Sequence, residues 1–204
     1  MIDAQQAMTI LASSDIIHSA DSVAAAVQRV AREITKRLRD CHPVLLCVLN
    51  GGVPFAGQLM TQLTFPLDFD YVQVSRYGQA SSGGTLSWRV EPTIALHGRT
   101  VLVVDDILDE GVTLVAIRDR LHELGAAACY TAVVADKLNG RRKPIQADFV
   151  ALTVPDRFVF GYGMDVRGAW RNLPAIYGTR EDLDAGDHRW QLPDSLGHSR
   201  TART

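Results

Sequence analysis

Residues 101–114 read VLVVDDILDEGVTL, and this stretch decides the fold. The apolar run from Val101 to Val104 is too short for a helix and rich in β-branched residues, so it predicts a buried strand. It ends in two adjacent acids, Asp105 and Asp106. A third follows at Asp109, then Glu110, Gly111, Val112 and Thr113. Next comes an amphipathic stripe, Leu114, Ile117, Leu121 and Leu124, with Gly125 as its C-terminal stop. The order is strand, tight loop, helix N-terminus. Such a junction sets backbone N–H groups where a phosphate can bind, and carboxylates where sugar hydroxyls or a metal can bind.

The same pattern repeats on either side. Val23, Val27, Val30, Ile34 and Leu38 recur at spacings of three and four, which predicts a helix capped near Ser19 or Asp21. Residues 44–49 form a continuous apolar run, a strand buried on both faces. Asn50-Gly51-Gly52 turns the chain into a second helix over 53–63. Residues 68–74 alternate and predict a strand. Residues 75–88, with Gly78, Gly83, Gly84 and several serines, read as a long mobile loop or a hairpin. Further strands are predicted over 99–104, 129–135 and 149–153, with about forty residues before the first strand. Strands alternating with helices imply an α/β fold, a mostly parallel twisted sheet with helices on both faces. Ligands bind such sheets beyond the C-terminal strand ends. The loops 50–52, 75–88, 105–113 and 136–143 each follow a strand and should converge there.

Composition sets limits. A chain of 204 residues suits one domain. Apolar content of 47% and charged content of 22% are ordinary for a globular protein. A formal charge of −2 gives no basis for a nucleic-acid partner. No apolar run reaches the length of a membrane span, and the N-terminus lacks a signal-peptide pattern. Cys41, Cys47 and Cys129 give an odd count without a C-x-x-C pair, which predicts free thiols in a reducing cytoplasm. The polar residues 179–204 read as a frayed tail.

Other phosphate loops are excluded. There is no G-x-x-x-x-G-K-[ST] and no G-x-G-x-x-G after a strand. A receiver domain also opens with paired acids, but here the acids lie mid-chain and too little structure follows. An isolated Asp–Asp after a strand is most often only a polar loop. The longer pattern of run, acid pair, third acid, Gly and Thr resembles the phosphoribosyl-diphosphate (PRPP) loop of the type I phosphoribosyltransferases. With LNGG at 49–52, SRYG at 75–78, ADKLNG at 135–140, VPDRFVFGYGMD at 154–165 and Arg171, residues 10–178 resemble the hypoxanthine-guanine phosphoribosyltransferases.

That resemblance implies the type I phosphoribosyltransferase fold over residues 1–178, with a small hood from the terminal segments. It implies that Asp105 and Asp106 hold the ribose, directly or through Mg²⁺, and that Asp109, Glu110, Gly111, Val112 and Thr113 cradle the 5′-phosphate. Asp109 is then the acid/base residue at purine N7. Lys137 donates to the 6-oxo group, Phe158 stacks on the base, and the Val159 backbone and Asp165 read its edge. Asp105, Asp106 and Asp165 are the implied metal ligands. Asn50, Gly51 and Arg171 bind pyrophosphate, with a cis peptide implied between Leu49 and Asn50. Ser75, Arg76, Tyr77 and Gly78 belong to the lid. The implied partners are PRPP and a 6-oxopurine, and the implied assembly is a homodimer or homotetramer. Physical chemistry agrees for Lys137: an ammonium only donates, which suits a carbonyl and opposes the amino group of adenine. Two departures stand out. Asn50 and Glu110 replace the usual Lys and a small residue, and both weaken the positive field around the substrate. A xanthine-preferring enzyme and a non-catalytic nucleotide-sensing regulator are the rival readings. The absence of a basic cluster in the forty residues before the first strand, and the intact Asp109 and lid, argue against the regulator.

Overall fold

The computed structural model describes residues 2–77 and 85–180. The chain opens with helix α1 (Ala4–Ala12) and strand β1 (Asp15–His18). Helix α2 (Ala20–Leu38) leads into β2 (Val44–Leu49), and α3 (Val53–Met60) leads into β3 (Asp68–Tyr77). Then come β4 (Thr85–Val90), β5 (Thr100–Leu108), α4 (Val112–Glu123), β6 (Ala128–Leu138) and β7 (Phe149–Pro155). Two short strands, β8 (Val159–Phe160) and β9 (Ile176–Gly178), follow. Among the described residues no helix is long and apolar enough to cross a membrane.

Six strands form the main sheet in the order β4-β3-β2-β5-β6-β7. β4 pairs antiparallel with β3, and the other pairs are parallel. The continuous apolar runs explain how the sheet is buried on both sides. Side chains alternate across a strand, so each run divides between two cores. Leu45, Cys47, Leu102 and Val104 join α2 and α3 on one face. Val44, Leu46, Val101 and Val103 join Leu114, Ile117 and Leu121 of α4 on the other. Helix α2 presents the predicted stripe, and the Ser19 side chain caps it by accepting the Ser22 N–H.

Topology fixes where a ligand can sit. From β2 the chain passes through α3 to β3 on one side. From β5 it passes through α4 to β6 on the other. The connections diverge between β2 and β5, and a crevice opens at their C-terminal ends. This switch point lies beside the two sequence stretches that were singled out, 49–52 and 105–113.

The structure departs from the sequence reading in instructive places. Two elements that the sequence reading did not predict, α1 and β1, precede helix α2. β1 pairs with β9, and β9 with β8, in a second antiparallel sheet built from both ends of the chain. Helix α1 has a capping box between Asp3 and Gln6 but buries only Ala7 and Ile10, so its stripe is faint. Ile10, Phe160 and Val166 form the core of this hood, and Trp170 Nε1 donates to the Ala7 carbonyl at 2.8 Å. Arg157 ties the hood together, donating to Asp15 at 2.8 Å and to the Thr179 carbonyl at 2.7 Å. Thr179 is buried, so packing continues past residue 178. Residues 181–204, most of the segment read as a tail, lie outside the described residues. The 75–88 segment is a hairpin at both its ends, with β3 running to Tyr77 and β4 starting at Thr85. The second helix stops at Met60, short of residue 63.

One buried carboxylate fastens the crossover from the sheet edge back to its centre. Asp70 on β3 accepts the backbone N–H groups of Tyr71, Thr93 and Ile94 at 2.8, 2.6 and 2.9 Å. Burial raises its pKa, but the N–H donors of Ile94, Tyr71 and Thr93 outweigh it and hold the carboxyl below its ordinary value. A depressed folded-state pKa gives stability that is present above the unfolded value and lost as pH falls. Asp70→Ala leaves buried N–H groups unpaired, and should cost roughly 1–3 kcal/mol of unfolding free energy near neutral pH. In urea titrations the gap between variant and wild type should narrow as pH drops below about 4. A pH-independent gap would contradict the role given to the ionised carboxylate.

Candidate active site

β5 runs four residues further than its apolar stretch predicts, to Leu108, so Asp105 and Asp106 stand on the strand end and not in a loop. The pairing of Asp105 with Val133 and of Ile107 with Ala135 on β6 keeps them extended. Asp105 is buried and accepts the Asp106 N–H at 2.9 Å. Asp106 accepts the Ile107 N–H at 2.8 Å. Burial, then the charge of Asp106, pushes the Asp105 carboxyl well above the ordinary range. Burial also raises Asp106, against the pull of the Asp105 hydrogen bond and the Arg171 guanidinium. Two acids held this way favour an incoming cation or hydroxyl donors.

Three backbone segments meet around Asp106. A Cβ on Gly51 would fall 2.0 Å from Asp106 Oδ2, and a Cβ on Gly163 would fall 2.1 Å from the Gly51 carbonyl oxygen. Only glycine permits this contact between the β2 loop, the β5 end and the hood. The Leu49–Asn50 peptide is cis, as the resemblance implied. Arg171 closes the group. Its Nη1 donates to the Gly163 carbonyl at 2.6 Å and lies 3.9 Å from Asp106 Oδ2, and its Nη2 pairs with Asp165. Asp165 also accepts the Gly168 N–H at 2.7 Å. The sequence reading gave Asp165 and Arg171 separate duties. Their mutual ion pair rests on the turn between them, where Val166 bridges Ala169.

A second group stands one strand over. β6 also runs past its predicted end, to Leu138, which puts Lys137 on the strand beside the β5 terminus. Lys137 Nζ donates to Asp109 Oδ2 at 3.1 Å. Asn139 Nδ2 donates to Asp109 Oδ1 at 3.2 Å and approaches the Asp109 carbonyl at 3.3 Å. The Lys137 side chain is 14% exposed and the Asp109 side chain 45%, so the pair sits with Asp109 open to the crevice. Asn139 and Lys143 were missed by the sequence reading. Lys143 Nζ donates to Asp136 at 2.5 Å and to the carbonyls of Leu108 and Lys137 at 2.7 Å each.

An open cavity lies at the β5–α4 turn, lined by residues 105–111 with Thr113 and Leu114. Gly111 sits at φ 82° as the N-cap of α4, a conformation that turns the chain sharply into the helix. No side chain caps this helix, and its first turn carries no acid. The dipole therefore faces a cavity whose lining also carries Asp105, Asp106, Asp109 and Glu110. Glu110 is exposed. Of the remaining expected residues, Phe158 is half-buried against the hood core. Val159 is on β8, an edge strand of the hood sheet, which leaves one backbone edge without a strand partner among the described residues. Ser75 accepts from Arg89 Nε at 3.3 Å. Arg76 and Tyr77 continue β3, and Gly78 lies outside the described residues.

The profile of the phosphoribosyl transferase domain family matches residues 13–167. A hypoxanthine-guanine phosphoribosyltransferase of Streptococcus pneumoniae is 34% identical over 169 residues, covering 82% of this chain and 94% of that protein. The chain belongs to the hypoxanthine-guanine phosphoribosyltransferase family. Solved structures agree in fold. A hypoxanthine phosphoribosyltransferase of Staphylococcus aureus superposes with a TM-score of 0.81 at 25% identity, covering 90% of this chain and all of that one. A hypoxanthine-guanine-xanthine phosphoribosyltransferase gives 0.73 at 28% identity, covering 83% and 96%. For this phosphoribosyltransferase the mostly parallel sheet with helices on both faces is thus the family's architecture.

The buried acid pair carries a cost to the fold. A carboxyl whose folded pKa is raised contributes stability that is fully present below its unfolded value and lost as pH rises through the folded value. At neutral pH the substrate-free protein therefore bears the strain of the pair. Asp105→Asn retains an oxygen for the Asp106 N–H and removes the charge. It should stabilise the substrate-free protein by about 0.5–2 kcal/mol at pH 7, the usual range for relief of such a site. The gain should shrink toward pH 4. Calorimetric melting across that range checks it, and a variant that melts lower than wild type at pH 7 would contradict the electrostatic account.

Proposed function

We propose that this chain carries out purine salvage, transferring the phosphoribosyl group of PRPP to hypoxanthine or guanine and yielding IMP or GMP and pyrophosphate. The observation that carries this reading is the Asp109–Lys137 contact at 3.1 Å, standing beside the buried acid pair. One set of strand ends then offers groups for the sugar, the phosphate and the base.

The chemistry follows from the groups. The base nitrogen forms a bond to the anomeric carbon as the bond to pyrophosphate breaks, and the proton at purine N7 passes to Asp109. A carboxylate has about four acceptor positions, so Asp109 can take this proton donor beside Lys137 and Asn139. The Lys137 ammonium has three donors and can reach a 6-oxo oxygen while it remains near Asp109. Phe158 is the stacking face, and the free edge of β8 at Val159, with Asp165, reads the rest of the base. Asp105 and Asp106 take the ribose hydroxyls. Residues 109–113 and the α4 dipole hold the 5′-phosphate. The backbone at Asn50 and Gly51, with Arg171, receives pyrophosphate. For that, Arg171 exchanges its carboxylate partners for phosphate oxygens, a change its bidentate fork favours. The segment Ser75, Arg76, Tyr77 and Gly78 is assigned as the lid that excludes water.

Magnesium fits the donor set. Asp105, Asp106 and Asp165 supply hard oxygen ligands. Among the described residues no three or more such side chains close into a cage. Mg²⁺ commonly takes one or two carboxylates and completes its shell with substrate phosphates and water. Bound there, it would neutralise the leaving pyrophosphate. We further assign the chain to the cytoplasm, since Cys41, Cys47 and Cys129 are free thiols, and to a homodimer or homotetramer. Phe69 and Tyr71, large and exposed on the same face of β3, support self-association. Xanthine stays a rival base, because its 6-oxo group suits Lys137 equally and one structural relative is named for it.

Initial rates with PRPP, Mg²⁺ and a panel of purines test the proposal. Hypoxanthine and guanine should turn over, and adenine should be very poor, because its amino group faces the Lys137 donor. Asp109→Asn should lower turnover by roughly 10²–10⁴ with little change in PRPP binding. Equal efficiency on adenine and hypoxanthine, or near-normal turnover in the variant, would refute the assignment.

A further inference from the structure

We propose that Lys143 is a positioning residue that fixes the general base and the base-recognition lysine as one unit. This rests on the roles given above to Asp109 and Lys137. An ammonium has three N–H donors and no acceptor. Those of Lys143 meet three acceptors, one each: Asp136 Oδ1 at 2.5 Å, the Leu108 carbonyl at 2.7 Å and the Lys137 carbonyl at 2.7 Å. Its side chain is 12% exposed, so the charge is held inside the protein and not at its surface.

The identity of those acceptors gives the contact its meaning. Leu108 is the last residue of β5 and directly precedes Asp109. Lys137 is the residue whose side chain meets Asp109. Within the sheet, β5 and β6 pair up to Leu108 and Asp136 and no further. Beyond that point the ladder no longer sets the spacing of the two strand ends. Lys143 bridges the gap, binding one carbonyl on each strand, and Asp136 supplies its counter-charge. The relative position of Asp109 and Lys137 therefore depends on a residue that faces neither sugar nor base. Pro144 and Ile145 follow, and Ile145 packs against the Gly111 position, so the same segment buttresses the phosphate turn. No other side-chain type reproduces the clamp. Arginine offers a planar fork in place of three radiating donors, and methionine fills the volume with no donor.

The test compares wild type with Lys143→Met and with Asp136→Leu/Lys143→Met. The double variant removes both buried charges together, which spares the fold the cost of an unpaired carboxylate. Thermal melting first shows that the double variant is folded. Its turnover with hypoxanthine should fall by about 100-fold, the order expected when reacting groups are misplaced by an ångström. The KM for PRPP should stay within about threefold, since the backbone at Gly51 and the acid pair are untouched. The preference for hypoxanthine over adenine should narrow at least tenfold, because the Lys137 ammonium is no longer fixed; loss of folded protein alone leaves that ratio unchanged. A crystal structure of the variant supplies a readout independent of activity. The Lys137 Nζ to Asp109 Oδ2 distance should exceed about 4 Å, the limit of an ion pair. Unchanged turnover and preference in the folded double variant would overturn the proposal. So would retention of the 3.1 Å contact. If wild type itself transfers nothing to any purine, the functional reading fails, and the distance alone then decides whether Lys143 positions the pair.

Discussion

Two adjacent carboxylates are buried at the end of the central strand, and the other parts of the crevice answer to that constraint. Like charges in a buried site repel and lose hydration. The structure meets this with backbone N–H donors, with Arg171 at 3.9 Å from Asp106, and with glycines that let the β2 loop and the hood close over the pair. Each of these devices sits where it does because β5 occupies the middle of the sheet, next to the switch point. Under the proposed function, a ligand that brings hydroxyl donors and a cation relieves the strain of the pair.

The second group, Asp109 with Lys137, answers to a different requirement. Here opposite charges meet at the crevice wall, and neither residue is fixed by the sheet ladder alone. Asn139 donates to Asp109, and Lys143 secures the two strand ends through their carbonyls. Under the proposed function, sugar and base are therefore held by two side-chain networks that meet at the paired ends of β5 and β6. The hood contributes by closing the far side. Arg171 reaches from it to the acid pair, and Phe158 packs against its core.

Much of this was legible in the sequence because it is local. The α2 stripe, the apolar runs of β2 and β5 and the acid-rich turn each carry their own periodicity or spacing. The hood strands do not. β1 has four residues and finds its partner at the opposite end of the chain, and β8 has two. No short window holds such information. The boundaries of β5 and β6 were read too early for a related reason: polar residues at 105, 106, 136 and 137 look like loop, yet pairing with the neighbouring strand keeps them extended. Lys143 was hidden in a basic run, Arg141-Arg142-Lys143, whose members the sequence alone does not tell apart. Only the fold separates the buried lysine from its exposed neighbours. The Asp165–Arg171 ion pair was hidden because the two residues meet across a turn that their spacing does not announce.

The central claim is that the crevice couples loss of pyrophosphate to arrival of a purine. The most direct measurement follows pyrophosphate release from PRPP and Mg²⁺ with and without hypoxanthine in the same protein sample. The account predicts pyrophosphate formed one-for-one with IMP, and almost none when the base is left out. Equal release without a base would mark a hydrolase, and no release under either condition would contradict transfer altogether.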